Sequence, residues 1–352
     1  MIPSTENPNE RMISATMRKI SAQACGRVAL SALLLAVALA ALLAPALVTA
    51  QTPSPAPGVQ SIVSAVTGQA GETDPAKIVT AKLVANTAAI ENGKTFMLGV
   101  HFTIAPGWHI YWANPGESGL DTKVEVVDFA QGQVGRVMYP APVRFESPGP
   151  LVSYGYSDEV MLMIPVTPAF TGTEPAEVAL KVKARWLMCS DRCIPGRTEL
   201  DIRVPVGTMK AANTELFERF EALVPKAATP AGVAVTAKVD DKALLAEIRV
   251  TPPQGSVIVA GEGKGLAPAY FFPLRGEGVE PELPVLPEPD TKVATPGGQV
   301  PAYSKPFVIR AKAALSGDAA PVLEGVLTLQ RTAADGSGAP SAPEHSTLTV
   351  RP

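Results

Sequence analysis

The chain has 352 residues and a formal net charge of -3, from 30 Lys and Arg against 33 Asp and Glu. That balance leaves no basic surface of the kind that tracks nucleic acid, and three His are too few and too scattered for an obvious metal cluster. Hydrophobic residues make up 46%, ample for a core, while 35 Pro and 29 Gly favour many turns and short strands over long helices.

Arg18, Lys19 and Arg27 precede an apolar run from Val28 to Leu47, and Val48-Thr49-Ala50 supplies small residues where a signal peptidase reads. Residues 1–50 therefore read as a secretory signal peptide cut after Ala50. An uncleaved anchor is the competing reading. Met17 reads as an alternative start. Export places the mature chain where disulfides form and removes Cys25, leaving Cys189 and Cys193 as the mature cysteines. Residues 51–75, rich in Pro, Ser, Gly and Ala, read as a flexible linker.

From Ala76 the pattern turns to strands. Ile78–Val84 and Thr95–Ile104 are β-prone, with Asn92-Gly93 as a hairpin signal between them. Pro106-Gly107 turns into an aromatic cluster, Trp108 to Trp112, and Asn114-Pro115-Gly116 reads as a loop held for shape. Thr122–Phe129 alternates, and Tyr139–Pro150, with four prolines, reads as a loop or irregular edge. Glu159–Val166, Ala176–Leu187 and Thr198–Val204 complete a set of short strands that reads as one β-sandwich over residues 76–208. Within it, Met161 and Met163 share a strand face and read as core.

Residues 209–228 read as a helical connector. Its helix runs from Asn213 to Val224, with Leu216, Phe217, Phe220, Leu223 and Val224 on one face and Pro225 as the stop. Further strand signals at Gly232–Val239, Leu244–Thr251, Ser256–Ala260, Ala269–Phe272, Phe307–Leu315, Val322–Gln330 and Ser346–Val350 suggest a second sandwich over 229–352. Residues 276–306 read mostly as loop, and His345 reads as a loop residue without a role. The expected fold is all-β: two immunoglobulin-like sandwiches and one short linking helix.

The chemistry centres on Trp186-Leu187-Met188-Cys189-Ser190-Asp191-Arg192-Cys193-Ile194-Pro195-Gly196. Three readings of the cysteine pair are open. A structural disulfide closing so short a loop removes little unfolded-state entropy. A redox pair cycles between dithiol and disulfide through a mixed disulfide, with Arg185 and Arg192 favouring a thiolate and Asp191 opposing it. A Cu(I) site would combine the two thiolates with Met188.

The Trp186–Gly196 stretch resembles the active-site segment of the N-terminal periplasmic domain of the DsbD and ScsB thiol:disulfide interchange family. Trp108–Leu120 (W-H-I-Y-W-A-N-P-G-E-S-G-L) resembles its aromatic Asn-Pro-Gly signature, and Ser153–Val166 its Tyr-Gly segment, in the family's order. The resemblance implies an immunoglobulin-like domain performing thiol-disulfide exchange as a protein-disulfide reductase. Its electrons would come from a membrane-embedded carrier and pass to periplasmic thioredoxin-fold proteins, with no bound cofactor or resident metal. Cys193 would exchange with partners and Cys189 would resolve. Tyr154, Tyr156, Trp108 and Trp112 would line the site, with a cap loop before Tyr154. Departures are the short cysteine spacing, Ser153 where an aromatic cap residue is expected, and no membrane-embedded or thioredoxin-like domain within the chain. The alternative from another class is a non-enzymatic envelope module whose cysteines form a structural bridge or bind Cu(I) weakly. N-terminal sequencing of the exported protein should return Gln51 as its first residue.

Overall fold

A computed structural model describes residues 75–352, apart from 148, 150 and 319. The signal peptide, its cleavage site, Met17 and the linker up to residue 74 lie outside the described residues. After a short helix, α1 (Pro75–Ile78), come the strands β1 (Val79–Ala85), β2 (Thr87–Ala89), β3 (Phe96–Ile104), β4 (His109–Gly116), β5 (Lys123–Val127) and β6 (Gly132–Val134). These are followed by β7 (Val143–Ser147), β8 (Leu151–Tyr156), β9 (Glu159–Pro168), β10 (Glu177–Cys189), β11 (Cys193–Pro205) and β12 (Lys210–Ala211). One sheet has the order β1-β3-β9-β6. The other runs β11-β10-β4-β8-β7, with β5 also paired to β10.

Strand periodicity decides what each sheet buries. In β3, Phe96, Leu98, Val100, Phe102 and Ile104 point inward; in β10, Val178, Leu180, Val182, Ala184, Trp186 and Met188 do so. These faces close on one another as the first core. The strand β9 is apolar on both faces because a helix covers its outer side. That helix is α2 (Thr214–Glu221), whose Phe217 and Phe220 pack on Met161 and Met163. It is shorter than the expected Asn213–Val224. Asn213 stands at the start in a left-handed conformation, and its amide donates to Ala85 O rather than capping the helix. Leu223 lies past the end and is exposed.

The second half contains β13 (Val233–Asp240), β14 (Ala243–Val250), β15 (Ser256–Val259), β16 (Tyr270–Pro273), β17 (Val279–Pro281), β18 (Thr291–Thr295), β19 (Gly298–Tyr303), β20 (Phe307–Leu315), β21 (Leu323–Leu329), β22 (Arg331–Ala333) and β23 (Glu344–Val350). They form sheets in the orders β13-β14-β20-β17, β18-β19-β15-β22 and β16-β21-β23. Residues 276–306 are largely loop, as expected, but not wholly so. Three short strands pass through them, with Pro281 at the end of β17 and Pro301 inside β19, so the hydrophobic alternation is too brief to read locally. His345 is not in a loop either: it lies on β23, with Nδ1 2.9 Å from Thr328 Oγ1.

The sheet β16-β21-β23 is apolar on both sides. Phe271, Leu323, Leu327 and Leu348 fill the second core, while Phe272 and Val326 join the first. The two sandwiches therefore share a continuous apolar contact.

Two predictions concern stability. Leu162 is fully buried in the first core, and Leu162→Ala should cost about 3 kcal/mol in denaturant unfolding. Burial holds the His345 pKa down to about 4, against about 6.5 for an unfolded histidine. The unfolded chain therefore takes up the proton first as pH falls, so this contribution to stability is full above the unfolded pKa. Stability should drop as pH falls through that window towards the folded value, and His345→Gln should flatten the drop in a pH series of denaturant midpoints.

Candidate functional site

The strands β10 and β11 form a long hairpin that pairs without a slip from Glu177 opposite Pro205 to Cys189 opposite Cys193. A three-residue turn, Ser190-Asp191-Arg192, closes it, with Ser190 N–H donating to Arg192 O. Cys189 and Cys193 are joined as a disulfide with Cα atoms 4.2 Å apart. Trp186 and Met188 face the core, so alternation puts Cys189 on the outer face of the sheet. There the two sulfurs differ in access: Cys189 is 2% exposed, whereas Cys193 is open to solvent.

What buries Cys189 comes mainly from β4. His109 lies directly opposite it in the ladder. Tyr111, two residues on and on the same face, donates its hydroxyl to Cys189 Sγ at 3.0 Å. The His109 ring meets Tyr111 edge-on at 5.1 Å and stacks on Phe145 of β7 at 4.6 Å. Burial raises the Tyr111 pKa and lowers that of His109. At neutral pH Tyr111 is therefore a protonated donor and His109 a neutral imidazole. His109 Nε2 is buried without a hydrogen-bond partner among the described residues. Gly119, at φ +103°, lies against the Tyr111 ring, where a Cβ would come within 2.2 Å of it.

The aromatic candidates divide between the two faces. Trp112 points into the core and meets Phe272 of β16 edge-on at 6.3 Å. Tyr154 is buried against Phe272 at 5.2 Å, and its hydroxyl lies 3.1 Å from that of Tyr270. Tyr156 donates to Pro140 O, and Trp108 is half-buried at the edge of the first core. None of these four makes a hydrogen bond or ring contact with Cys189, Tyr111 or His109 among the described residues. Ser153, beside Tyr154, is buried and pairs with Phe145, which brings an aromatic ring to this face from the neighbouring strand. Met188 belongs to the core on the opposite face from Cys189, so the two cysteines and Met188 do not converge as a three-sulfur metal site. Sequence reasoning missed Phe145; of Trp108, Tyr111 and Trp112, which it weighed as core packing or as lining of the cysteine site, Tyr111 is the one that bonds to Cys189. The odd spacing of Cys189, His109 and Tyr111 becomes informative only once the β10–β4 register is known.

The Asn-Pro-Gly segment also changes meaning. It lies at the end of β4, where the pairing with β8 shifts between Tyr111 and Gly116. Asn114 is buried: its amide donates to Pro273 O at 2.7 Å and its carbonyl accepts from Gly116 N–H. Arg275 donates to Gly116 O. The segment is the end of a strand rather than the expected loop, and it fastens the two sandwiches together.

Residues 76–205 match the family model of the thiol:disulfide interchange protein DsbD, N-terminal. The N-terminal periplasmic domain of ScsB from Proteus mirabilis is similar over 78% of this chain and 92% of its own, at 17% identity and a TM-score of 0.47. The DsbD N-terminal domain of Neisseria meningitidis, in its reduced form, aligns with 39% of this chain and 94% of its own, at 18% identity and a TM-score of 0.24. The collagen adhesin of S. aureus aligns with 77% of this chain and 92% of its own, at 9% identity and a TM-score of 0.19. No curated protein matches the chain.

A hydrogen bond to a sulfur that becomes charged contributes more than one to a neutral group. Tyr111→Phe should therefore slow reduction of the disulfide by dithiothreitol about tenfold, measured as a second-order rate constant at fixed pH.

Proposed function

From the premise that residues 76–205 are a domain of the DsbD N-terminal type, we propose that the protein exchanges dithiol for disulfide in the periplasm through Cys193 and Cys189. The observation that carries this reading is the unequal access of the two sulfurs, one exposed and one buried under a hydroxyl donor. Exchange needs one sulfur that a partner reaches and one that is held back to resolve the mixed disulfide.

In the reducing direction, the Cys193 thiolate attacks a sulfur of a partner disulfide. That S–S bond breaks, the partner's other sulfur leaves as a thiolate, and a mixed disulfide joins Cys193 to the partner. The Cys189 thiolate then attacks Cys193 Sγ. The partner leaves as a dithiol and the Cys189–Cys193 bond forms, so two electrons pass to the partner. Recharging runs the steps in reverse: an incoming thiolate attacks exposed Cys193 and Cys189 departs as a thiolate, steadied by the Tyr111 hydroxyl 3.0 Å away.

Electrons would come from a membrane-embedded DsbD- or ScsB-like carrier and pass to thioredoxin-fold envelope proteins. Among the described residues no helix is long and apolar enough to cross a membrane. A purely structural bridge has little to add here, because the hairpin is already paired up to the cysteines.

Cys193→Ser should abolish exchange with dithiol substrates, while Cys189→Ser should accumulate a mixed disulfide at Cys193. The reduction potential of the pair should lie above about -300 mV, and a value well below that would mark a structural bridge. Full exchange activity in Cys193→Ser would sink the mechanism.

A further inference from the structure

The hairpin of β7 and β8 ends its sheet. Among the described residues the edge strand β7 pairs with β8 alone, and β8 pairs with β4 at Ile110, Tyr111 and Gly116 across a register shift, with Glu117 N–H donating to Val152 O just beyond. What packs on the hairpin's two faces adds to this pairing in fixing where it sits. On the face turned to the cysteines, Phe145 stacks on His109, which meets Tyr111, which donates to Cys189 Sγ. On the opposite face Val152, Tyr154 and Tyr156 enter the first core, and some partners there come from the second sandwich. The Arg144 guanidinium stands 5.7 Å over the ring of Tyr270, and Tyr154, paired with Arg144 in the ladder, meets the Tyr270 hydroxyl at 3.1 Å. Tyr270 also packs on Phe272 at 4.8 Å. The other ion partner of Arg144 is Glu146, itself an exposed residue of β7.

We propose that Tyr270 is a positioning residue for the disulfide: the second sandwich, through Tyr270, fixes the β7–β8 hairpin and so holds Phe145, His109 and Tyr111 in place over Cys189. The inference rests on the exchange function argued above and gives the second sandwich a part in it. Arg144 and Phe145 are adjacent residues on opposite faces of one strand. A shift that frees Arg144 from Tyr270 therefore moves Phe145 on the cysteine side. A half-buried cation over an aromatic face and a part-buried hydroxyl pair together help to anchor a short edge hairpin.

The test is a double-mutant cycle on the full mature chain, read as the rate constant for reduction by dithiothreitol and as the reduction potential of the pair. Tyr270→Ala should slow reduction about fivefold, by weakening the Tyr111 contact, and should lower the potential. In a Tyr111→Phe background, Tyr270→Ala should have almost no further effect on either. Tyr270→Phe, which keeps the ring under Arg144, should restore most of the rate. Leu348→Ala, buried in the second core, should destabilise the protein without moving rate or potential. Arg144→Met reads the same coupling from the hairpin side and should match Tyr270→Ala, so the proposal stays testable if Tyr270→Ala does not fold. Wild-type rate and potential in both Tyr270→Ala and Arg144→Met, or a loss that simply adds to that of Tyr111→Phe, would overturn it. A wild-type disulfide that dithiothreitol does not open would instead overturn the exchange reading beneath it.

Discussion

Everything at the site depends on the register of one antiparallel ladder. From Glu177 opposite Pro205 to Cys189 opposite Cys193, β10 and β11 pair without a bulge. Because side chains alternate, that register sends Trp186 and Met188 to the core and Cys189 to the outer face. A slip of one residue would exchange them, burying the cysteine among apolar side chains and exposing the tryptophan. The core thus enforces the position of the chemistry: burying Trp186, Ala184, Val182 and Leu180 selects the register that presents the sulfurs.

The second constraint is the contact between sandwiches. The sheet β16-β21-β23 gives one face to each core, so Phe272 and Tyr270 serve as floor for Trp112, Tyr154 and Arg144. Polar ties reinforce it: Asn114 to Pro273 O and Arg275 to Gly116 O. Gly116, at φ +85°, sits where a Cβ would come within 2.6 Å of Val152 O. Family resemblance singles out the Asn-Pro-Gly segment, and its physical use here is to join the two halves of the chain beside the site.

Local pattern made the strongly alternating strands legible. β3, β10 and β14 were readable because their apolar residues recur at every second position over seven or more residues, and β11 because Leu200, Ile202 and Val204 alternate with charged residues. The cysteine pair was readable from arithmetic alone. Which residues accompany Cys189 was not: His109 and Tyr111 were open candidates beside structural readings, and spacing could not single them or Phe145 out. Their links to Cys189 exist only through β4 pairing with the end of β10 and through an edge strand inside a proline-rich segment. The same limit applies to Tyr154 and Trp112. They are aromatic and adjacent in motif to the cysteines, yet alternation turns both to the other face and towards the second sandwich. The short strands of residues 279–303 were hidden for a related reason: at three to six residues each, they have no period to detect.

The central claim is that the two sulfurs have different jobs because one is exposed and the other is covered. The most direct measurement is the alkylation rate of each thiol in the reduced protein, followed residue by residue with iodoacetamide and peptide mass mapping. The account predicts that Cys193 reacts at least about tenfold faster than Cys189. Equal rates, or faster modification of Cys189, would contradict it.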